Sequence, residues 1–308
     1  MKQDTTVKIK VQPRKKRLRL HRATPVKLIR QGKRFAEVRY MQKIPRQGVR
    51  KLSKDDYLVL ATGEVKQYEK NGTKQRESLA KTFVALRGII RANFEGNKDN
   101  QKMITLNYAE NMRDSERLMD DFEAFWEKFR RDHKGHKLEY VAVAEPQERG
   151  AWHLHVMCKS DQPKWWVDMD KLGELWKHGQ TRVEALKSDD MGRYYVAYFT
   201  SLADETKAKP GEVSEEMSKS RQKGGRLHYY PKGMRFYRCS RGIVRPIAEH
   251  VAYGEVLDEY GNPKHVNTYA VVQKHEGEEE GKEINIIQQQ MHVKKPSEEG
   301  VGKNVVGD

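Results

Sequence analysis

Cysteine is scarce in this chain of 308 residues, with only Cys158 and Cys239 present. Two cysteines are too few for a disulfide scaffold, and they do not form a CxxC pair, so a zinc ribbon is excluded as well. No apolar run approaches the ~20 residues that span a bilayer, and the charged N-terminus lacks the apolar core of a signal peptide. These absences favour a soluble protein of the reducing cytoplasm, with no membrane partner.

Acidic residues are nearly absent from the N-terminus. Residues 1–51 hold 18 Lys and Arg but only 2 Asp and Glu, which accounts for the whole net charge of +16. Low periodicity and scattered prolines predict a flexible basic arm over residues 1–50. A solubilising tail is one interpretation, but acidic residues would serve that purpose equally well, so nucleic acid contact is favoured. The densest run of cations consists of Arg14, Lys15, Lys16, Arg17 and Arg19.

The middle of the chain predicts an α+β domain. Apolar residues at helical spacing predict amphipathic helices over 76–94 and 115–129, and shorter helices over 167–177 and 189–202. Short apolar runs predict strands over 103–108, 138–144, 152–158 and 181–186. This alternation, with an antiparallel hairpin at its centre, is typical of a central antiparallel sheet with helices packed on it.

Four segments follow from these patterns. Residues 1–50 are the arm, 51–98 an extension with a strand or hairpin and the first helix, 99–250 the main domain, and 251–308 a C-terminal extension. Beyond about residue 275 the chain is rich in Glu, Gly, Lys and Gln. That composition predicts a polar, disordered tail.

Two histidines separated by one leucine form a candidate metal site. Alternate side chains of a strand share a face, so His153 and His155 would point the same way. The turn at 146–151 would fold the preceding strand back and place Glu145 beside both rings. Glu148 is a rival, but it lies in the turn and is expected in solvent. Two imidazoles and one carboxylate, with positions left open for a phosphate, favour Mg²⁺ or Mn²⁺.

Three tyrosines follow, at Tyr194, Tyr195 and Tyr198. On a helix, Tyr194 and Tyr198 would share a face, and Tyr195 would lie partly off it. A phenol can attack a phosphodiester if it is oriented in line and a metal polarises the phosphate. A lone helical tyrosine is usually a packing residue. Three of them in five positions, downstream of a His-x-His hairpin, favour catalysis.

These residues together resemble the HUH endonucleases. The closest subgroup is the rolling-circle replication proteins of Gram-positive plasmids and integrative elements, related to phage initiators of the gene A and gene II type. The resemblance covers residues 79 to 246. It rests on a first strand motif at 105–111, the hairpin at 145–155 and a YxxxY pair at 194–198, and it includes a downstream block at 223–246 to which no role is assigned.

The resemblance implies a site-specific DNA endonuclease and strand transferase that initiates rolling-circle replication, with the His-x-His strand in the middle of its sheet. One tyrosine would cut single-stranded or supercoiled origin DNA and keep a 5′-phosphotyrosine, and a second would cleave the regenerated origin. No small-molecule substrate is implied. Many such enzymes carry a YxxK lysine, but Ala197 and Tyr198 occupy those positions here. Tyr194 is therefore favoured by its pairing with Tyr198, and Tyr195 stays an alternative nucleophile.

Partners and rival functions follow from two further features. The sequence contains no GxxxxGK[ST] phosphate loop, so a host helicase is expected to unwind the DNA. A relaxase or transposase of the same chemistry is one alternative, although relaxases usually carry a third histidine where Glu145 stands here. The other alternative is a non-catalytic nucleic-acid-binding protein, for which the basic arm suffices.

Overall fold

Two compact units make up the chain in the computed structural model. The central unit comprises Gly72–Arg245, and the terminal unit combines Met1–Asn71 with Pro246–Asp308. The central unit thus begins at the first predicted helix, which the sequence had placed in a separate extension. The structure describes residues 7–43, 49–53, 56–59, 63–67, 72–147, 149–186, 230–231, 234–275 and 279–294.

The described residues form an α+β structure, as predicted. Their helices are α1 Gly72–Asn93, α2 Ser115–Asp132, α3 Met169–Trp176 and α4 Tyr253–Tyr260. Their strands are β1 Val7–Pro13, β2 Pro25–Gln31, β3 Phe35–Met41, β4 Val49–Lys51, β5 Asp56–Val59, β6 Val65–Gln67, β7 Gln101–Asn107, β8 Leu138–Pro146, β9 Trp152–Ser160, β10 Thr181–Ala185, β11 Tyr237–Cys239, β12 Ile247–Ala252, β13 His265–His275 and β14 Lys282–Val293. The predicted helix at 189–202 lies outside the described residues.

The central unit is built on one antiparallel sheet of five strands. Their order is β10-β7-β9-β8-β11, so β9, which carries the two histidines, is the middle strand. Strands β8 and β9 form the predicted hairpin, with Val143 opposite His155. Both the antiparallel sheet and the central place of the His-x-His strand are confirmed.

One face of this sheet packs against α2 and α3. Helix α2 begins after Asp114, whose carboxylate accepts hydrogen bonds from the backbone nitrogens of Glu116 and Arg117. The N-cap is therefore Asp114 and not Ser115, which is the first helical residue. The buried side of α2 carries aromatic rings such as Phe122 and Phe125, which join the same core cluster as the buried strand residues. Each fully buried phenylalanine contributes about 1.5–3 kcal/mol.

The other face carries the histidines at one end and an apolar cluster at the other. Met157 lies two residues beyond His155, so the two side chains share this face. Met157 packs in a cluster with Phe83 and Leu86 of α1. Helix α1 therefore covers the same side of the sheet as the histidines, while α2 and α3 cover the opposite side.

The block at 223–246, to which the sequence assigned no role, closes the edge of the central sheet where it is described. Strand β11 pairs with β8, with Tyr237 opposite Val143. The chain then turns around Glu139, which accepts hydrogen bonds from the Ser240 hydroxyl and from the Gly242 backbone nitrogen. In its described part this block is an edge strand with an anchored turn.

Gly179 lies between α3 and β10, where the loop passes against the end of β7. A Cβ at this position would lie 2.5 Å from the backbone nitrogen of Ala109 and 2.5 Å from the backbone oxygen of Asn107. These backbone atoms cannot move freely, because Ala109 N donates to His178 O and Asn107 N to Gln180 O, both at 2.9 Å. Gly179→Ala should therefore lower the free energy of unfolding by about 1–3 kcal/mol, as measured by denaturant titration.

Gly173 provides the matched control. It lies inside α3, and a Cβ there would meet nothing within 4 Å. Gly173→Ala should raise stability by about 0.5–1 kcal/mol, because glycine loses more backbone entropy in a helix than alanine does. A Gly179→Ala protein that is as stable as the parent would contradict the close approach of this loop to β7.

The terminal unit contains a six-stranded antiparallel sheet, in the order β1-β13-β14-β3-β2-β12. Helix α4 contributes Tyr253, Val256 and Tyr260 to a core cluster with Val26 and Leu28 of β2. A smaller sheet of β4, β5 and β6 accounts for the strand or hairpin predicted between residues 55 and 68. No helix among the described residues is long and apolar enough to cross a membrane.

The prediction of a flexible arm over residues 1–50 is wrong for residues 7–43. Strands β1, β2 and β3 occupy most of this range. In β2, Val26 and Leu28 are buried while Lys27 between them is exposed. The basic residues therefore stand on the outer side of an alternating strand, and their number hid the period of two.

The prediction of a disordered tail after about residue 275 is wrong for residues 282–293, which form β14. This strand turns polar side chains inward: Gln288, Gln290 and His292 are all buried. They are satisfied by hydrogen bonds, for example from Gln288 Nε2 to Leu18 O at 3.1 Å and between His292 Nδ1 and Gly261 O at 2.9 Å. A core face made of amides has the composition of a solvated tail.

Candidate active site

The two histidines of β9 are held by strand register. His153 lies directly opposite Glu145 of β8, so all three candidate ligands share one face, while Leu154 points into the core on the other side. The intervening turn closes through a hydrogen bond of 2.7 Å from Gln147 N to Ala151 O. The rival ligand of the sequence analysis, Glu148, lies outside the described residues.

The three side chains converge on one point. The distance between His153 Nε2 and His155 Nε2 is 3.0 Å, and the Glu145 oxygen Oε2 lies 3.3 Å from His155 Nε2 and 3.6 Å from His153 Nε2. A triangle with these sides has a circumscribed radius of about 1.9 Å. Ligand–metal bonds are typically ~2.1 Å, so one ion slightly outside the plane reaches all three atoms.

Burial gives this cluster a need for positive charge. The Glu145 side chain is only 4 % exposed, and the His153 side chain 11 % exposed. A buried carboxylate is costly unless a cation or a proton compensates it, and two neutral imidazoles supply no charge. A divalent cation meets this need with ligands of the right type, so the three residues can hold a metal ion.

Strand β7 supplies a second polar row beside the ligands. Thr105 lies opposite His155 and Asn107 opposite His153. Thr105 Oγ1 is 3.4 Å from His155 Nδ1, and Gln147 Nε2 donates to Asn107 Oδ1 at 3.1 Å. The sequence analysis gave Thr105 and Asn107 no role, although their alternation on a strand beside the hairpin was a usable signal.

Tyr108 is held away from this site. It follows Asn107, so its ring lies on the opposite side of the sheet, in the core with Trp176. Burial, together with a hydrogen bond of 2.8 Å from its hydroxyl to Asp121, raises the pKa of Tyr108 well above its ordinary value. Its phenol is therefore a structural donor and a poor source of phenolate.

The predicted tyrosines Tyr194, Tyr195 and Tyr198 lie outside the described residues. Their roles therefore stay predictions based on spacing along a helix. The structure brings together the metal ligands but supplies no distance from any of these phenols to them.

Comparison with known families covers the same region. Residues 101–203 match the family of replication-associated proteins that is named for ORF2 and the gene II protein. The matched region begins at β7 and contains the β8–β9 hairpin and all three predicted tyrosines. It covers about a third of the chain, and it supports a role in replication for this region. No curated protein and no solved structure matches the chain.

The basic cluster of the sequence analysis lies in the terminal unit, on the ordered loop between β1 and β2. Arg14 is used within the fold, because its Nε donates to a Glu283 carboxylate oxygen at 3.1 Å. The other four cations are exposed. Within the described part of the chain they make no ion pair; they are Lys15, Lys16, Arg17 and Arg19.

A buried amide fixes the backbone of this loop. The Leu18 nitrogen donates to Gln288 Oε1 at 2.8 Å, and the Leu18 oxygen accepts from Gln288 Nε2 at 3.1 Å. Gln288 is only 1 % exposed, so the loop is tied to the interior of the sheet. The four exposed cations are therefore presented from a fixed backbone.

Proposed function

We propose that this protein initiates rolling-circle replication by nicking and rejoining single-stranded origin DNA. The observation that carries the proposal is the convergence of Glu145, His153 and His155 within a region that matches replication-associated proteins. A non-catalytic DNA-binding protein has no need of a buried carboxylate between two imidazoles. A relaxase or transposase would use the same chemistry on different DNA.

The metal centre of this proposal is held by His153, His155 and Glu145. Bound Mg²⁺ or Mn²⁺ would polarise the scissile phosphate and offset its growing negative charge. The protein residues contribute two neutral nitrogen donors and one anionic oxygen, fixed by the pairing of β8 with β9. A site in which the ligands are already positioned lowers the entropic cost of binding both ion and phosphate.

The tyrosines of this proposal divide the work. The phenol oxygen of Tyr194 attacks phosphorus and loses its proton, while the bond from phosphorus to the 3′ oxygen breaks and that oxygen takes up a proton. The products are a 5′-phosphotyrosine and a free 3′-OH. Tyr198, one helical turn away, would cleave the regenerated origin after one circuit. Tyr195 is the alternative first nucleophile, and a host helicase is the proposed unwinding partner.

The exposed cations of the β1–β2 loop are the proposed DNA-binding residues outside the active site. Replacing Lys15, Lys16, Arg17 and Arg19 by glutamine should flatten the dependence of DNA affinity on salt, because fewer counterions are released. The slope of log affinity against log salt should fall by about 0.7–0.9 for each phosphate that the variant no longer neutralises. Fluorescence anisotropy with labelled oligonucleotides at several salt concentrations measures this slope.

A single substitution in the same loop is the control. Arg14→Gln should leave the salt slope unchanged, because its guanidinium is already paired with Glu283. If the fourfold variant keeps the parent slope, the loop does not touch phosphates and the proposed DNA-binding surface is wrong.

A nicking assay tests the proposed function. The substrate is a supercoiled plasmid that carries the DNA flanking the gene for this protein. We expect Mn²⁺ or Mg²⁺ to support conversion to the open circle, with protein bound to the cut strand after denaturation in detergent. An excess of chelator should abolish the reaction completely, because this chain lacks the YxxK lysine that could share the charge stabilisation. Binding without any cleavage under these conditions would favour the non-catalytic alternative.

A further inference from the structure

The orientation of the His155 ring is set from both of its nitrogens. Its Nε2 faces the candidate metal position, at 3.0 Å from His153 Nε2 and 3.3 Å from Glu145 Oε2. Its Nδ1 lies on the other side of the ring, and there it meets Thr105 Oγ1 at 3.4 Å. Thr105 is directly opposite His155 in the β7–β9 register, so this approach is fixed by the backbone.

The chemistry of a neutral imidazole then determines what the hydroxyl must do. A neutral ring carries one proton, on either Nδ1 or Nε2, and only the nitrogen without the proton has a lone pair for a metal. With Nε2 turned to the metal position, the proton belongs on Nδ1. A threonine hydroxyl can accept as well as donate, and its own hydrogen rotates to another acceptor. Thr105 Oγ1 therefore accepts the Nδ1 hydrogen bond when Nε2 binds the ion.

We propose that Thr105 is a positioning residue for the metal centre: its hydroxyl oxygen holds the Nδ1 proton of His155 and so fixes the tautomer and ring orientation in which Nε2 is a ligand. The inference rests on the proposed metal centre. Hydrogen-bond partners of ligating histidines commonly change metal affinity by about 10–100-fold when they are removed. In this chain the partner is a neutral hydroxyl on the neighbouring strand.

A Mn²⁺ titration of the full-length, metal-free protein tests this role without any DNA. The electron paramagnetic resonance signal of free Mn²⁺ reports the unbound ion. Thr105→Val keeps the shape of the side chain but removes the acceptor, and it should weaken Mn²⁺ binding by about 10–100-fold. Thr105→Ser restores a hydroxyl and should bind close to the parent value.

Thr181→Val is the matched control on the adjacent strand. Thr181 lies opposite Leu106, so its side chain is on the face of the sheet away from the histidines. It should leave Mn²⁺ affinity unchanged. The melting temperature of metal-free Thr105→Val should stay near that of the parent, since valine suits a strand as well as threonine does.

Each outcome is decisive. Parent-like Mn²⁺ affinity in Thr105→Val would overturn the role of Thr105 while leaving the metal centre in place. A Thr105→Ser protein as weak as Thr105→Val would show that the hydroxyl is not the group that acts. A fall in metal-free stability that accompanies the loss of affinity would replace the positioning role by a packing role. If the parent protein binds no Mn²⁺, the proposed metal centre itself is wrong and this inference is wrong with it.

Discussion

Replacing His153 by alanine should reduce metal-dependent nicking by about a thousandfold or more, because a metal ion that stabilises the transition state contributes several kcal/mol and each ~1.4 kcal/mol is a factor of ten. The alanine variant retains only His155 and Glu145 as ligands. The measurement is the initial rate of open-circle formation at saturating Mn²⁺, followed on agarose gels.

The fold should survive this substitution. His153 stands at the open end of the sheet face, while the adjacent Leu154 keeps its place in the core on the other side. Circular dichroism and the melting temperature should therefore stay near the parent values. His265→Ala, at an exposed position of β13 in the terminal unit, is the matched control and should nick normally. Normal nicking by His153→Ala would exclude the histidine pair as metal ligands.

Replacing Tyr194 by phenylalanine should abolish the first cleavage, with a loss of about a thousandfold or more, as removal of a covalent nucleophile commonly gives. Phenylalanine keeps the ring and loses only the oxygen that would bond to phosphorus. Binding of origin oligonucleotides and of Mn²⁺ should be unchanged, which separates loss of chemistry from loss of substrate. The measurement is single-turnover cleavage of an end-labelled oligonucleotide.

The two neighbouring tyrosines serve as controls with different expected outcomes. Tyr198→Phe should nick normally but fail to release a closed single-stranded circle, because the second cleavage is missing. Tyr195→Phe should do both. If Tyr194→Phe retains activity and Tyr195→Phe loses it, the register of the helix is off by one residue and Tyr195 is the nucleophile.

The candidate metal site was predictable because it is local in sequence. A turn of a few residues joins the two strands that carry Glu145 and His153, and strict alternation assigns both histidines to one face. The same reasoning predicted the buried side of α2. It did not include Thr105, because β7 is separated from β9 by a helix and another strand, and its register beside His155 is a tertiary feature.

The terminal unit was not predictable from local patterns. Strand β1 pairs with β13, so residues near Val7 meet residues near His275, and no local signal reports such a distant partner. The inward side of β14 is made of amides such as Gln288 in place of aliphatic side chains, which removes the hydrophobic alternation that marks a strand. Charge in the first segment and polarity in the last therefore hid one shared sheet.

Mapping the covalent protein–DNA adduct tests the central claim most directly. The protein is incubated with Mn²⁺ and a single-stranded oligonucleotide from the flanking origin, digested with nuclease and protease, and analysed by peptide mass. We predict a nucleotide joined through its 5′ phosphate to the phenol oxygen of Tyr194, formed with Mn²⁺ and absent in chelator. Cleavage that leaves a free 5′ phosphate, with no adduct on any tyrosine between residues 194 and 198, would contradict a tyrosine nickase.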